Sequence, residues 1–122
     1  EQIIPQERLS HAHYSVTTGE YQAEKFSLRQ NYPNPFNPST NIEFLLPRES
    51  RVHLVVYDVM GKEVATVIGD ALYQPGEYAV RWEGRDASNT NVANGIYFYK
   101  LIATPSDRSK ALVATRKLIL LR

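Results

Sequence analysis

The sequence predicts an all-β fold, a seven-stranded antiparallel immunoglobulin-like β-sandwich. Short runs that alternate apolar and polar residues recur at intervals of roughly 8–15 residues, separated by turn-forming residues. No stretch holds a helical apolar period. Trp82, the single tryptophan, stands near the middle of the alternating region, where a large ring can anchor a core between two sheets. A jelly roll, which wants about eight strands, is the second choice.

Size and charge set the outer bounds. The 122 residues have room for one domain and a tail. A domain of this size buries roughly two-thirds of its unfolded surface, enough for a core without disulfides or metals. Net charge is +1, from 14 basic and 13 acidic residues, so no electrostatic footprint for nucleic acid or anionic membrane stands out. The absence of cysteine excludes a disulfide scaffold and a thiolate metal site but leaves the compartment open. No apolar run approaches the ~18 residues of a membrane span. The chain opens on Glu1 without a signal peptide, so it is expected to be a piece of a larger protein whose export signal lies elsewhere.

Residues 1–25 are expected to form a linker, mobile or extended, because Leu9, Tyr14, Val16 and Tyr21 are too scattered for a helix face. His11 and His13 would share one side of a strand, but with no third ligand nearby they read as solvated linker histidines. The sandwich is expected over residues 26–122. Phe26-Ser27-Leu28 makes a short first strand. It leads into Asn31-Tyr32-Pro33-Asn34-Pro35-Phe36-Asn37-Pro38-Ser39-Thr40, the doorway to the domain. Prolines at 33, 35 and 38 fix φ and remove backbone donors, so neither helix nor central strand runs through. A stiff, partly polyproline-like bend is expected, with Asn34, Asn37 and Ser39 satisfying its freed backbone groups and Tyr32 and Phe36 pinning it.

Thr40 to Leu46 alternates, with Ile42, Phe44 and Leu46 on the core face and Asn41, Glu43 and Leu45 on the other. Arg51 to Asp58 is the third strand, its β-branched Val52 and Val56 flanking Leu54 on the core side. Gly61 supplies a positive φ for the turn into a fourth strand over Lys62 to Ile68. Gly69 to Gly76 reads as a loop closed by Pro75-Gly76. Glu77 to Trp82 puts Tyr78, Val80 and Trp82 inward and Glu77, Ala79 and Arg81 toward water. After a polar loop ending on Asn94-Gly95, the sixth strand, Ile96 to Ala103, turns Tyr97, Tyr99 and Leu101 inward. Ala111 to Leu121 is the last strand, with Leu118 and Leu120 inward.

No catalytic constellation is legible. The chain has no nucleophile elbow, no H-E-x-x-H and no phosphate-cradling glycine loop. It therefore reads as non-enzymatic and implies no cofactor. Asp86, Asn89 and Asn91 are the weak candidates for a calcium site, although Asx turns closing the same loop account for the composition equally well. Tyr57, Tyr73 and Phe98 are the candidates for outward rings of a sugar-binding platform. The final Arg116-Lys117-Leu118-Ile119-Leu120-Leu121-Arg122 suits both a guarded edge strand and a segment read by a receptor through strand addition.

The proline bend and Val56-Tyr57-Asp58-Val59-Met60-Gly61-Lys62-Glu63-Val64 have a familiar look. So, in order, do Gly76-Glu77-Tyr78, Trp82-Glu83-Gly84-Arg85-Asp86, Asn94-Gly95-Ile96-Tyr97-Phe98-Tyr99-Lys100-Leu101 and Lys117-Leu118-Ile119-Leu120. Together they resemble the type A carboxyl-terminal sorting domain of the type IX secretion system, and the related Ig-like domain of the flagellar hook-capping protein. The resemblance spans about residues 26–122. It implies a seven-stranded Ig-like module at the end of a larger exported protein, commonly an enzyme or adhesin. An outer-membrane translocation and attachment apparatus would recognise it and carry the cargo from the periplasm across the outer membrane, to the cell surface or medium. The recognition features it implies are Pro33, Asn34 and Pro35, Gly61, Gly95 and Tyr97, and Lys117 with Leu118 to Leu120. Cleavage would fall before Phe26. The partners expected are that machinery and the N-terminal cargo domain, with no nucleic acid and no membrane insertion. The alternative is a structural or carbohydrate-binding accessory domain of a secreted glycoside hydrolase or other exported enzyme.

Overall fold

The computed structural model describes residues 25–122, and the predicted linker with His11 and His13 falls, Lys25 apart, outside them. Seven strands form: β1 (Ser27–Leu28), β2 (Thr40–Leu46), β3 (Ser50–Tyr57), β4 (Glu63–Tyr73), β5 (Gly76–Trp82), β6 (Gly95–Pro105) and β7 (Leu112–Leu120). Every strand pair is antiparallel. One sheet has the order β1-β2-β5 and the other β4-β3-β6-β7. Placing β4 beside β3 lengthens that sheet, whereas a constant-type Ig domain keeps its fourth strand beside the fifth.

The inward assignments hold. Ile42, Phe44, Leu46, Val52, Leu54, Val56, Tyr78, Val80, Trp82, Tyr97, Tyr99, Leu101, Leu118 and Leu120 all lie in the buried core between the sheets. Because the two inner faces are fully apolar at these positions, a one-residue slip in any strand would turn its core set to solvent. The register is thereby fixed.

Three features differ from the sequence reading. The predicted loop from Gly69 is strand as far as Tyr73, because β4 carries three more residues than the eight of β3 and absorbs them in three register shifts. One shift sits at Gly69-Asp70, where Asp70 takes a φ of 58° and Val52 and Leu54 oppose Ala71 and Ile68. A bulge of this kind twists an edge strand away from further pairing. It also turns the Tyr73 ring inward, onto Phe44 at 5.7 Å and Tyr78 at 4.8 Å between ring centres. Glu77 is the second difference. It faces the outer side of its sheet opposite Leu45, as alternation requires, yet it is buried, with Arg29 Nη2 3.7 Å from its carboxylate. Third, Leu45 is buried although it also points away from the inter-sheet core.

Candidate recognition surface

The proline bend is where the chain changes sheets. Tyr32 still belongs to the first sheet, pairing its backbone with Asn41 in both directions at 3.0 and 2.9 Å. Four residues later Phe36 pairs in parallel with the last strand: its N–H donates to Ile119 O at 2.9 Å, and its carbonyl accepts from Leu121 N–H at 3.1 Å. Pro33 and Pro35 occupy the crossing, where a missing N–H is no loss because no ladder runs there. All three X–Pro bonds of the bend are cis.

Side chains complete the seam. Asn34 Oδ1 accepts from Ile119 N–H at 2.9 Å, and Gln30 Nε2 donates to Lys117 O at 2.7 Å. Arg116 Nε donates to Leu28 O at 2.5 Å, tying β7 back to β1. Within the bend, Asn31 Nδ2 donates to Thr40 Oγ1 and Pro33 O at 2.9 and 3.1 Å, while Thr40 Oγ1 donates to Pro33 O at 2.9 Å. The Phe36 ring is buried against Trp82 at 5.6 Å, and Trp82 meets Tyr97 edge-on at 6.0 Å. The Tyr99 hydroxyl donates to Arg29 O at 2.7 Å and accepts from Asn31 N–H at 2.8 Å. Burial pushes its pKa up to about 12, with the Asn31 N–H and Arg116 pulling the other way.

These contacts bring most of the sequence-derived recognition residues to one end of the sandwich. Pro33, Asn34 and Pro35 are exposed on the bend, directly beside Leu118 to Leu120, whose two leucines are buried. Gly95 lies opposite Leu120 and Tyr97 opposite Leu118 across the β6–β7 ladder. Lys117 is exposed and faces Phe98. Gly61 sits at this end too, but across the sheet in the β3–β4 turn, since Tyr57 opposes Phe98. Tyr32 does not pin the bend with its ring, which is exposed; Phe36 does.

Sequence reasoning missed two participants. Asn31, rather than Asn37 or Ser39, satisfies the bend's own carbonyl; its signal was an amide two residues ahead of the first proline. Arg122 holds the 84–94 loop: Nη1 donates to Val92 O, Nη2 to Gly84 O at 2.8 Å, and the backbone N–H to Asn94 Oδ1 at 2.9 Å. In that loop Asp86 Oδ1 accepts from Ser88 and Thr90 N–H at 2.9 and 3.0 Å, an Asx-turn arrangement. Asn89 has a φ of 63°, and Asn91 Oδ1 lies 3.4 Å from Arg122 Nη2, so the side chain of Asn91 faces a cation. Of the outward ring candidates, Tyr57 and Phe98 share the outer face of the four-stranded sheet, with Lys100 Nζ 5.7 Å from the Tyr57 ring centre. Tyr73 is buried, because the β4 bulge turns it inward, and cannot belong to a surface platform.

The sequence profile of the FlgD Ig-like domain matches residues 36–107, more than half of the chain. The chain belongs to the FlgD Ig-like domain family. Among solved structures, this FlgD-type domain is similar to dimeric latent PorU from Porphyromonas gingivalis, with a TM-score of 0.61 and 16% identity over 75% of this chain and 9% of PorU. It is also similar to FlgD from P. aeruginosa, with a TM-score of 0.55 and 23% identity over 66% of this chain and 61% of that one. At these identities the likeness is one of fold. The FlgD-type domain thus spans about a tenth of PorU and about three-fifths of the Pseudomonas FlgD. No curated protein matches the chain.

Proposed function

We propose that this Ig-like domain is a non-catalytic carboxyl-terminal sorting module of type IX secretion. It directs a larger cargo protein, attached ahead of residue 26, across the outer membrane for release or surface attachment. Residues 1–25 serve as the linker. One observation carries the reading: the proline bend and the terminal strand form a single hydrogen-bonded surface through Phe36, Asn34 and Ile119. Two of the motifs that resemble the sorting-domain family, the proline bend and Lys117 to Leu120, are far apart in sequence yet meet here, with Gly95 and Tyr97 of a third in the adjoining strand. A receptor that reads a folded domain needs such a composite surface, rigid before contact so that little ordering entropy opposes docking. The exposed bend residues and Lys117 are the groups available to it.

A secretion assay tests this. A fluorescent protein with a signal peptide is fused ahead of residues 1–122 in a bacterium with a working type IX system. Surface or medium fluorescence is the expected result. Ending the chain at Ala114 removes the buried Leu118 and Leu120 and so unfolds the sandwich, which makes exposed-residue variants the cleaner comparison. Asn34→Ala with Lys117→Glu should leave the fusion folded but periplasmic. Export of that variant at the wild-type level would remove the bend-and-strand surface from the recognition mechanism.

A further inference from the structure

Large apolar side chains left exposed among the described residues are unevenly placed. Tyr32, Val59, Met60, Ile96 and Leu121 lie at the bend end of the sandwich, whereas Leu72 and Val113 lie elsewhere. Two of them are adjacent at the tip of the β3–β4 turn, where Met60 is 86% and Val59 63% exposed. That turn is rigid. Asp58 Oδ1 accepts from Met60 and Lys62 N–H, each at 2.9 Å; Asp58 N–H donates to Lys62 O and Gly61 N–H to Asp58 O, each at 3.0 Å. Gly61 closes it with a φ of +84°. A turn that merely reverses the chain has polar residues available for its tip; here four hydrogen bonds hold two apolar side chains in water.

Beside the tip runs a shallow groove of about 340 Å³ on the outer sheet face, with Tyr57, Asp58, Val59, Phe98, Lys100 and Thr115 among its lining residues. Lys117 stands next to Phe98 on the same face. On the turn's other flank the carboxylates of Asp58, Glu63 and Asp86 outnumber the single ammonium of Lys62. An anionic bilayer offers one sign of charge all round and would repel that second flank, whereas a protein can match both. We infer that the Val59–Met60 tip is a preformed knob that inserts into an apolar groove of a partner protein, a groove rimmed by charges of both signs. The inference rests on the sorting reading, in which the partner belongs to the outer-membrane machinery, and it adds a second contact across the sheet from the bend.

The test uses the same fluorescent fusion to residues 1–122. Val59→Ser with Met60→Ser should lower export about tenfold, the loss expected when apolar anchors at an interface centre are truncated. Leu72→Ser, at the opposite end, should leave export unchanged, and both variants should melt as the wild type does because the replaced side chains are exposed. Wild-type export by the double variant would overturn the knob and leave the sorting reading standing. A wild-type fusion that stays periplasmic would overturn sorting instead. The knob is then decided by photocrosslinking in the same cells, from position 60 against position 72. An adduct with an envelope protein from 60 alone supports it, and equal or absent adducts overturn it. Flotation of the purified chain with phosphatidylglycerol vesicles, or a dimer that the double variant abolishes, would also overturn it, in favour of a membrane or a second copy.

Discussion

Trp82 shows how much one side chain can carry here. Its ring is 2% exposed and packs between Phe36 and Tyr97, and its indole N–H donates to Arg85 O at 3.0 Å. Trp82→Ala should therefore cost ~3–5 kcal/mol in urea unfolding, since it leaves a cavity and an orphaned carbonyl together. A loss below about 1 kcal/mol would contradict this packing. Tyr73 is the opposite case. Its hydroxyl is buried and finds no hydrogen-bond partner, so Tyr73→Phe removes an unsatisfied polar atom and keeps the ring contacts. Stability should hold or rise by up to about 1 kcal/mol, again by urea unfolding. Trp82 was legible from alternation alone. Tyr73 was not, because its orientation depends on a bulge that no local pattern announces, and Glu77 was not, because alternation gives a side chain's face but not what covers that face.

The strands were legible because each is short, alternates, and ends on a turn residue; the bend was legible because three prolines leave few alternatives. Which partner the bend would find was not. Nothing near Asn34 in sequence points to Ile119, 85 residues away, and the pairing exists only because the chain changes sheets between Tyr32 and Phe36. The β4 extension escaped for a related reason: Gly69 and Asp70 carry turn chemistry, and in an edge strand that chemistry makes a bulge. The seam between bend and β7 yields its own prediction. Asn34→Ala deletes the acceptor for the Ile119 amide while Phe36 keeps its two backbone bonds, so the global loss should be only about 1 kcal/mol. Hydrogen exchange at Ile119 should nonetheless speed up clearly, while the amides of β3, paired on both sides, keep their wild-type protection. Unchanged exchange at Ile119 would mean that the amide is protected by something other than the bend.

The sandwich as a whole should respond to alkali through the tyrosines buried between its sheets, Tyr73 and Tyr99 above all, with Tyr97 shifted in the same direction. Burial raises the pKa of Tyr73 to about 12, helped by the neighbouring Tyr78, and burial does the same for Tyr99. In the unfolded chain a tyrosine ionises near ~10. Below that value both states hold these protons, so the stabilisation the two groups confer is complete and independent of pH. Between about 10 and 12 the unfolded chain sheds protons that the folded one retains, and stability falls by roughly 1.4 kcal/mol per pH unit for each tyrosine. Neither ring can ionise in place at modest cost, so the loss appears as opening of the two sheets together rather than as local fraying. The thermal midpoint should thus stay flat from neutral pH to about 10 and drop steeply above it. Tyr73→Phe should make that drop shallower by removing one of the two groups, whereas Tyr57→Phe, on the outer face, should not. A decline beginning well below 10, or one equally steep in Tyr73→Phe, would show that the buried hydroxyls are not what limits the fold in alkali.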